Sequence, residues 1–190
     1  MGTIELLITA VALAMDAFAV AVCKGLMTRD EGLKLKHMAI VGLWFGGFQG
    51  LMPLIGYLLG STFSSYITKF DHWVAFGLLV LLGINMIKEA VMGCDECPDN
   101  SLAFGAMLAM ALATSIDALA VGVTFAITGA NIILAVAVIA IVTFIISAIG
   151  MKIGSIFGTR FQSPAEMFGG IVLILMGVKI LLEDLGVIAF

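Results

Sequence analysis

Apolar residues run along this chain in long blocks separated by short polar segments, without a regular alternation of apolar and polar positions. Such blocks predict membrane-spanning helices, because the strands of a membrane barrel alternate over about ten positions. Each block is close to the ~20 residues that a helix needs to cross the hydrocarbon core of a bilayer. Six spans are predicted on this basis, at 4–24, 37–60, 71–91, 102–128, 132–157 and 165–185.

The composition agrees with a chain that lies almost wholly in the membrane. Of its 190 residues, 62% are hydrophobic and 12% are charged, whereas about 25% of a soluble domain is charged. The mean hydropathy is +1.21, and the net charge of −4 provides no basic surface for nucleic acid. The sequence therefore predicts an all-α membrane protein, a single integral membrane domain in contact with the lipid bilayer and with no nucleic-acid partner.

Three pairs of similar phrases divide the chain into two halves. They occur in the same order in both halves, which indicates an internal duplication. Because each half holds three spans, an odd number, the second half enters the membrane from the opposite side, as in the inverted repeats of transporters. The paired phrases are MDAFAV with IDALAV, IGYLLG with IGSIFG, and LLVLLGINMIKE with IVLILMGVKILLE. The predicted organisation is repeat one at 1–92, a cytoplasmic loop at 93–100 and repeat two at 101–190.

Basic residues are unevenly divided between the two sides of the predicted topology. The side that holds the loop between the first two spans is the more basic, and by the positive-inside tendency it is cytoplasmic. Both termini are then outside. The residues on the basic side are Lys24, Arg29, Lys34, Lys36, Lys88 and Arg160, against Lys69 and Lys179 on the other.

Two aspartates lie inside predicted spans, Asp16 in the first and Asp117 in the fourth. A carboxylate at the centre of a bilayer costs about 3 kcal/mol on the more lenient insertion scales, so such residues usually serve a function. Ala12 and Ala19 share a helix face with Asp16 and allow close approach of another helix. Two interpretations stay open: carboxylates hydrogen-bonded for architecture, or a pair of ligands or proton carriers. Their repeated setting favours the second.

Other polar residues inside spans are candidates for the same site. Gln49 follows Gly46 and precedes Pro53, whose missing N–H frees a backbone carbonyl. For Gln49, an interhelical hydrogen bond and metal ligation are equally open. Asn85 is interpreted first as a packing hydrogen bond and second as a metal ligand.

Further polar residues have alternative interpretations. Lys179 either neutralises an aspartate in the resting protein or extends to the outer interface. Thr114 and Ser115 are expected to bond carbonyls of their own helix. Cys94 and Cys97 form CDEC in an acidic loop, which is either a solvated loop or a weak collecting patch for cations, since one CxxC does not complete a zinc site.

Carboxylate and amide oxygens suit hard divalent ions such as Mg, Ca and Mn, although protons alone remain possible. Two aspartates balance the charge of one such ion. The chain contains no GxxxxGK[ST] phosphate-binding motif, so ATP is not expected to drive transport.

The segments MDAFAVAVCKG, FGGFQGLMPLIG, DHWVAF, ATSIDALAVGV and AEMFGGIVLILMGVKIL, in this order, resemble the bacterial manganese exporter family of the MntP type, within the LysE-like superfamily. The resemblance covers nearly the whole chain. It implies a six-helix secondary transporter in the bacterial plasma membrane, not an enzyme, that exports Mn(II) as its substrate and has no cofactor. The family's intramembrane aspartates correspond to Asp16 and Asp117. Some members have Glu where this chain has Gln49.

The predicted metal residues are accordingly Asp16, Asp117, Gln49 and Asn85, in a monomer or homodimer that works by proton-coupled alternating access. Export of another divalent cation, or of a small organic solute such as an amino acid, is the alternative. An intramembrane aspartyl protease also uses two membrane aspartates, but the GxGD setting of such enzymes does not occur here.

Overall fold

A computed structural model describes residues 2–28, 34–67, 71–92 and 104–184. Within these ranges the regular structure is helical throughout, which confirms the predicted all-α class. The elements are α1 (Thr3–Met27), α2 (Leu35–Ile67), α3 (Asp71–Met92), α4 (Phe104–Thr114), α5 (Ile116–Thr128), α6 (Ile132–Phe157) and α7 (Gln162–Asp184), with a short 3₁₀ helix at Gly158–Phe161 before α7.

Each predicted span is occupied by helix; α6 has the predicted bounds, whereas α2 continues to Ile67, beyond the predicted end at residue 60. Four segments are long and apolar enough to cross a membrane, and α4 with α5 forms a fifth such span if the bent pair is taken as one. Helix α3 occupies the third predicted span but does not meet the same test, so the six-span count stays a prediction. The four straight segments are Thr3–Leu26, Leu35–Thr62, Ile132–Phe157 and Ser163–Leu182.

The fourth predicted span, 102–128, was expected to be one helix, and this expectation is wrong. The helix is interrupted at Ser115, and α4 and α5 meet at an angle of 42°. The Thr114 hydroxyl donates to the Met110 carbonyl at 3.0 Å, and the Ser115 hydroxyl to the Ala111 carbonyl at 2.6 Å. Hydroxyl bonds of this kind bend helices because they compete with the backbone ladder. The expected bonding of Thr114 and Ser115 to their own helix is confirmed.

Glycines bring the helix backbones into direct contact. Helix α1 packs on α6 and α7, α2 on α5 and α6, and α3 on α7. A Cβ atom at Gly25 of α1 would lie 1.9 Å from the Met151 oxygen of α6, and one at Gly56 of α2 would lie 2.0 Å from the Leu119 oxygen of α5. Such spacing leaves no room for any side chain, as is typical of helix pairs in membranes.

The outer surface of the helices is apolar. Large side chains point outward on several helices, with Ile133 80% exposed, Leu81 65% and Leu175 61%. A soluble monomer rarely presents so much apolar surface, whereas lipid-facing helices require it. The protein is therefore a multi-pass helical membrane protein.

Candidate functional site

The side-chain amide of Gln49 joins three helices in the interior. Gln49 lies on α2 with no exposed surface. Its Nε2 donates to the Leu13 carbonyl of α1 at 2.8 Å and to the Thr114 carbonyl of α4 at 3.3 Å. Carbonyl oxygens only accept hydrogen bonds, so the NH₂ group must face them and Oε1 must point elsewhere. That Oε1 is buried and has no hydrogen-bond partner among the described residues. It is an oxygen ligand available to an ion.

The backbone around Gln49 offers a second oxygen. Pro53 lies within α2, and because proline has no N–H the Gln49 carbonyl lacks its usual donor four residues on. Gly122 of α5 makes room for this part of α2, since a Cβ there would lie 2.2 Å from the Pro53 oxygen. Gln49 thus has a buried side-chain oxygen and, in addition, a main-chain oxygen that lacks its usual helical donor.

Both predicted aspartates lie three residues beyond a carbonyl that Gln49 binds. Asp16 follows Leu13 in α1, and Asp117 follows Thr114 across the helix break. Three residues are nearly one helical turn. One amide therefore touches the two aspartate-bearing segments at corresponding places.

The two aspartates have different local settings. Asp117 is buried and belongs to the first turn of α5, where its Oδ1 accepts from the Ala118 N–H at 2.7 Å. The positive end of the α5 dipole favours a carboxylate there. Asp16 is half-buried in the middle of α1, and Ala12 and Ala19, on the same face, are buried as expected. The helix break thus distinguishes two carboxylates that the sequence repeat makes look equivalent.

Two other predicted residues lie elsewhere. Asn85 is exposed on α3 beside Ile84, which is 56% exposed, so it is not one of the buried groups around Gln49. Lys179 of α7 forms an ion pair with Glu5 of α1, with both side chains less than one-third exposed. For Lys179 the structure thus records an ion pair that links α7 to α1, and the two interpretations made from the sequence stay predictions.

Two buried hydroxyls on α6 were not among the residues predicted from the sequence. Thr143 and Ser147 have no exposed surface, and their hydroxyl oxygens have no hydrogen-bond partner in the described ranges. The internal repeat could have identified Ser147, because it aligns this residue with Gln49. The alignment that pairs IGYLLG with IGSIFG shifts positions by 98 (153 − 55), and that shift also pairs Gln49 with Ser147.

The donor set is poor in strong metal ligands. No group of three or more His, Cys, Asp or Glu side chains comes together in the part of the chain that the structure describes. What the interior offers is carboxylate with neutral oxygen, a set that suits a hard divalent ion retaining some of its water. The CDEC loop lies outside the described residues.

A membrane protein with carboxylates and an unsatisfied amide oxygen in its interior belongs to the class that handles ions or protons, because such groups are costly in lipid without that use. Discontinuous helices are common at the binding sites of transporters. The comparisons with known proteins agree with this class. A family profile described as "Putative manganese efflux pump" (Mntp) matches residues 32–181.

Relatives named "Putative manganese efflux pump MntP" align over almost the whole chain. One from Acetivibrio thermocellus is 56% identical over 100% of this chain and 96% of its own length. One from Desulfitobacterium hafniense is 54% identical, covering 98% and 97%, and one from Campylobacter jejuni is 52% identical, covering 95% and 96%. No solved structure matches. The chain belongs to the MntP family, which consists of transporters and not of enzymes.

Proposed function

We propose that this protein exports Mn(II) from the bacterial cytoplasm across the plasma membrane as a secondary transporter. The family supports manganese as the substrate and efflux as the direction. The observation that carries the proposal is the Gln49 amide, which ties the Asp16 and Asp117 segments together and whose own oxygen has no hydrogen-bond partner within the described ranges.

The proposed ligands are the carboxylates of Asp16 and Asp117 and the Oε1 atom of Gln49. Two carboxylates balance the charge of a divalent ion, and a neutral amide oxygen with water completes a coordination shell of hard donors. Asn85 is left outside this set because it is exposed on α3. The same oxygen ligands would also bind another hard divalent ion. Mn(II) is therefore proposed because of the family to which the chain belongs, and not from ligand chemistry alone.

We further propose that the six predicted spans form two inverted three-helix repeats. Reciprocal glycine contacts support this arrangement. Gly42 of α2 lies against Phe144 of α6, and Gly46 lies against Ala140. A shift of 98 residues exchanges these two contacts (144 − 46 and 140 − 42). It equals the shift that relates IGYLLG to IGSIFG, as expected for halves related by a two-fold axis.

Helices α3 and α7 show the same reciprocity. Gly83 of α3 lies against Gly170 of α7, and Gly177 of α7 lies against Phe76 of α3. A shift of 94 residues exchanges the two contacts (177 − 83 and 170 − 76), and 94 is also the separation of the two glycines in the third pair of repeated phrases. Both sets of contacts favour an inverted repeat with its axis near the α2–α6 crossing.

Transport is proposed to be proton-coupled alternating access. Mn(II) enters from the cytoplasm and is bound by the aspartates, and the site then opens outward. External protons compete for the carboxylates and release the ion. Purified protein in liposomes tests the coupling: Mn(II) flux should rise when a pH gradient is imposed, and equal flux with and without the gradient would contradict it.

The substrate and direction are tested in a strain that lacks its own manganese exporter. Expression of this protein should lower cellular manganese and restore growth in high manganese. Magnesium, calcium and an amino acid supplied in excess serve as comparisons. Unchanged manganese content at normal membrane abundance would contradict the proposal, and protection against an amino acid instead would favour the alternative function.

A further inference from the structure

Helix α1 lies deep between α6 and α7, because a glycine of each of these helices faces it. A Cβ at Gly150 of α6 would lie 2.8 Å from the Phe18 ring of α1, and a Cβ at Gly169 of α7 would lie 2.9 Å from the Met15 Cβ. Met15 and Phe18 are nevertheless only half-buried. One face of α1 therefore stays open at the bottom of a depression between its two neighbours.

This depression is a groove with a volume of about 350 Å³, which lies within the ~300–1,000 Å³ of ordinary ligand pockets. We call it the α1 groove. All of its lining side chains are apolar. Met15 and Phe18 of α1 line its depth, while Ile149 of α6 and Phe168 of α7 are 48% and 52% exposed and line its sides. The α1 groove therefore opens onto the apolar outer surface, where lipid chains are the solvent.

Two basic residues lie at one end of the α1 groove. Arg160 precedes the lining residue Phe161 in the short helix between α6 and α7, and Lys152 follows the lining residue Ile149 by nearly one turn of α6. Both basic side chains are exposed, and neither forms an ion pair with another described residue. The nearby Glu166 is only 5% exposed, so its carboxylate is not part of that surface. In the predicted orientation this end is cytoplasmic.

An apolar groove that ends at two cations matches the chemistry of a lipid with a charged headgroup. We propose that the α1 groove binds an anionic phospholipid, with an acyl chain against Phe18 and Phe168 and the phosphate at Lys152 and Arg160. Basic pockets between membrane helices on the cytoplasmic side bind such headgroups, and the cytoplasmic leaflet is the one that carries anionic lipid. An uncharged lipid would fill the groove but add no net charge to balance the cations, and a free phosphate ion would leave the groove unfilled.

The bound lipid stabilises the position of α1. Its acyl chain contacts α1, α6 and α7 together, and its headgroup joins the end of α6 to the short helix before α7. Asp16 follows Met15 directly in the chain, so the stabilised segment is the one that carries a proposed metal ligand. The site itself does not depend on the proposed transport function.

The occupant is identified by fluorescence quenching of the full chain in lipid vesicles. Phe168→Trp places a reporter in the α1 groove, after both native tryptophans, Trp44 and Trp73, are replaced by Phe. Vesicles contain phosphatidylglycerol and phosphatidylcholine, with bromine, a contact quencher, on the acyl chains of one or the other. The relative affinity for phosphatidylglycerol should be higher by roughly fivefold for each basic residue. Leu175→Trp, at a position on α7 that is 61% exposed and does not line the groove, should show little preference.

Charge variants assign the preference to the two cations. Lys152→Gln combined with Arg160→Gln should make the two lipids quench the groove reporter equally. Lys88→Gln is the matched control, because Lys88 is exposed on α3 and is predicted to lie on the same side of the membrane. This control should leave the preference unchanged.

Four results would overturn the proposal. They are equal quenching by both lipids before the charges are removed, a preference that survives the double charge variant, a preference that excess inorganic phosphate abolishes, and a groove reporter that neither lipid quenches. The third result would mean that the cations bind the free ion. In the fourth case, quenching that appears when the ratio of protein to lipid is lowered would assign the groove to a second copy of the chain.

Stability provides a second measurement. In mixed micelles of increasing SDS fraction, phosphatidylglycerol in place of phosphatidylcholine should raise the SDS fraction at which half of the protein is unfolded, because it binds the folded protein. The variant that combines Lys152→Gln with Arg160→Gln should lose this shift, and its absence from the unsubstituted chain would contradict a lipid that stabilises α1. Neither measurement uses manganese, so a negative result here leaves the proposed export standing, and a failure of export leaves the lipid site standing.

Discussion

Two substitutions at Gln49 separate its role as a hydrogen-bond donor from its role as a metal ligand. Gln49→Met keeps the approximate length of the side chain and removes both NH₂ and Oε1. Gln49→Glu keeps oxygen at the end of the side chain but has no NH₂ group for the Leu13 and Thr114 carbonyls. Each variant therefore loses two buried hydrogen bonds. At about 1 kcal/mol for each bond, the free energy of unfolding should fall by about 2 kcal/mol in Gln49→Met and by at least as much in Gln49→Glu.

The two variants should differ in their response to manganese. An ion that binds only the folded protein raises its stability in proportion to the logarithm of ion concentration. Gln49→Glu should keep this manganese-dependent rise because a carboxylate oxygen replaces Oε1, and Gln49→Met should lose most of it. The assay is unfolding in mixed micelles of increasing SDS fraction, with and without Mn(II), with Thr143→Val as the buried control.

The two roles of Gln49 can be refuted separately. If Gln49→Met unfolds at the same SDS fraction as the unsubstituted chain, the amide does not hold α1 and α4 together. If Gln49→Met is less stable but still gains as much from Mn(II), Gln49 is structural and the ion is bound by other groups. A rise of equal size with Mg(II) would show that the site does not select manganese.

Three further predictions concern the site, the packing and the topology. Asp16→Asn and Asp117→Asn should each abolish manganese resistance at normal membrane abundance. The double variant should be little worse than either, because the one carboxylate left in each single variant no longer balances the charge of the ion. Full resistance in either single variant would refute the paired site. Gly154→Ala should destabilise the protein by several kcal/mol in the same SDS assay, because its Cβ would lie 1.9 Å from a backbone oxygen of α1. The control Gly47→Ala should be neutral or stabilising, because a Cβ there has nothing within 4 Å among the described residues. Equal effects of the two substitutions would mean that α1 and α6 are not in backbone contact. A reporter fused to the carboxyl terminus should be external and one in the 93–100 loop cytoplasmic; finding both on one side would contradict the inverted repeat.

The apolar blocks alone were enough to predict the helical class and the approximate position of each helix, with both bounds matched for α6. Hydropathy is a property of each segment by itself, so it can be read without knowing what the segment touches. Two other predictions depend in the same way only on neighbouring sequence. One is that Asp16, Asp117 and Gln49 lie inside spans, and the other is that Thr114 and Ser115 bond carbonyls of their own helix. The sequence could therefore indicate which residues are costly in lipid and deserve a functional interpretation.

What the polar groups bind was decided only by the packing of distant segments. Gln49 bonds carbonyls that are 36 and 65 positions away, and Lys179 pairs with a residue 174 positions away. The break at Ser115 could not be predicted from the hydroxyl bonds of Thr114 and Ser115, since such bonds also occur in continuous helices. The register of one helix on another cannot be found in either repeat alone. It depends on which glycine lies against which backbone oxygen, and that choice is made when the helices pack.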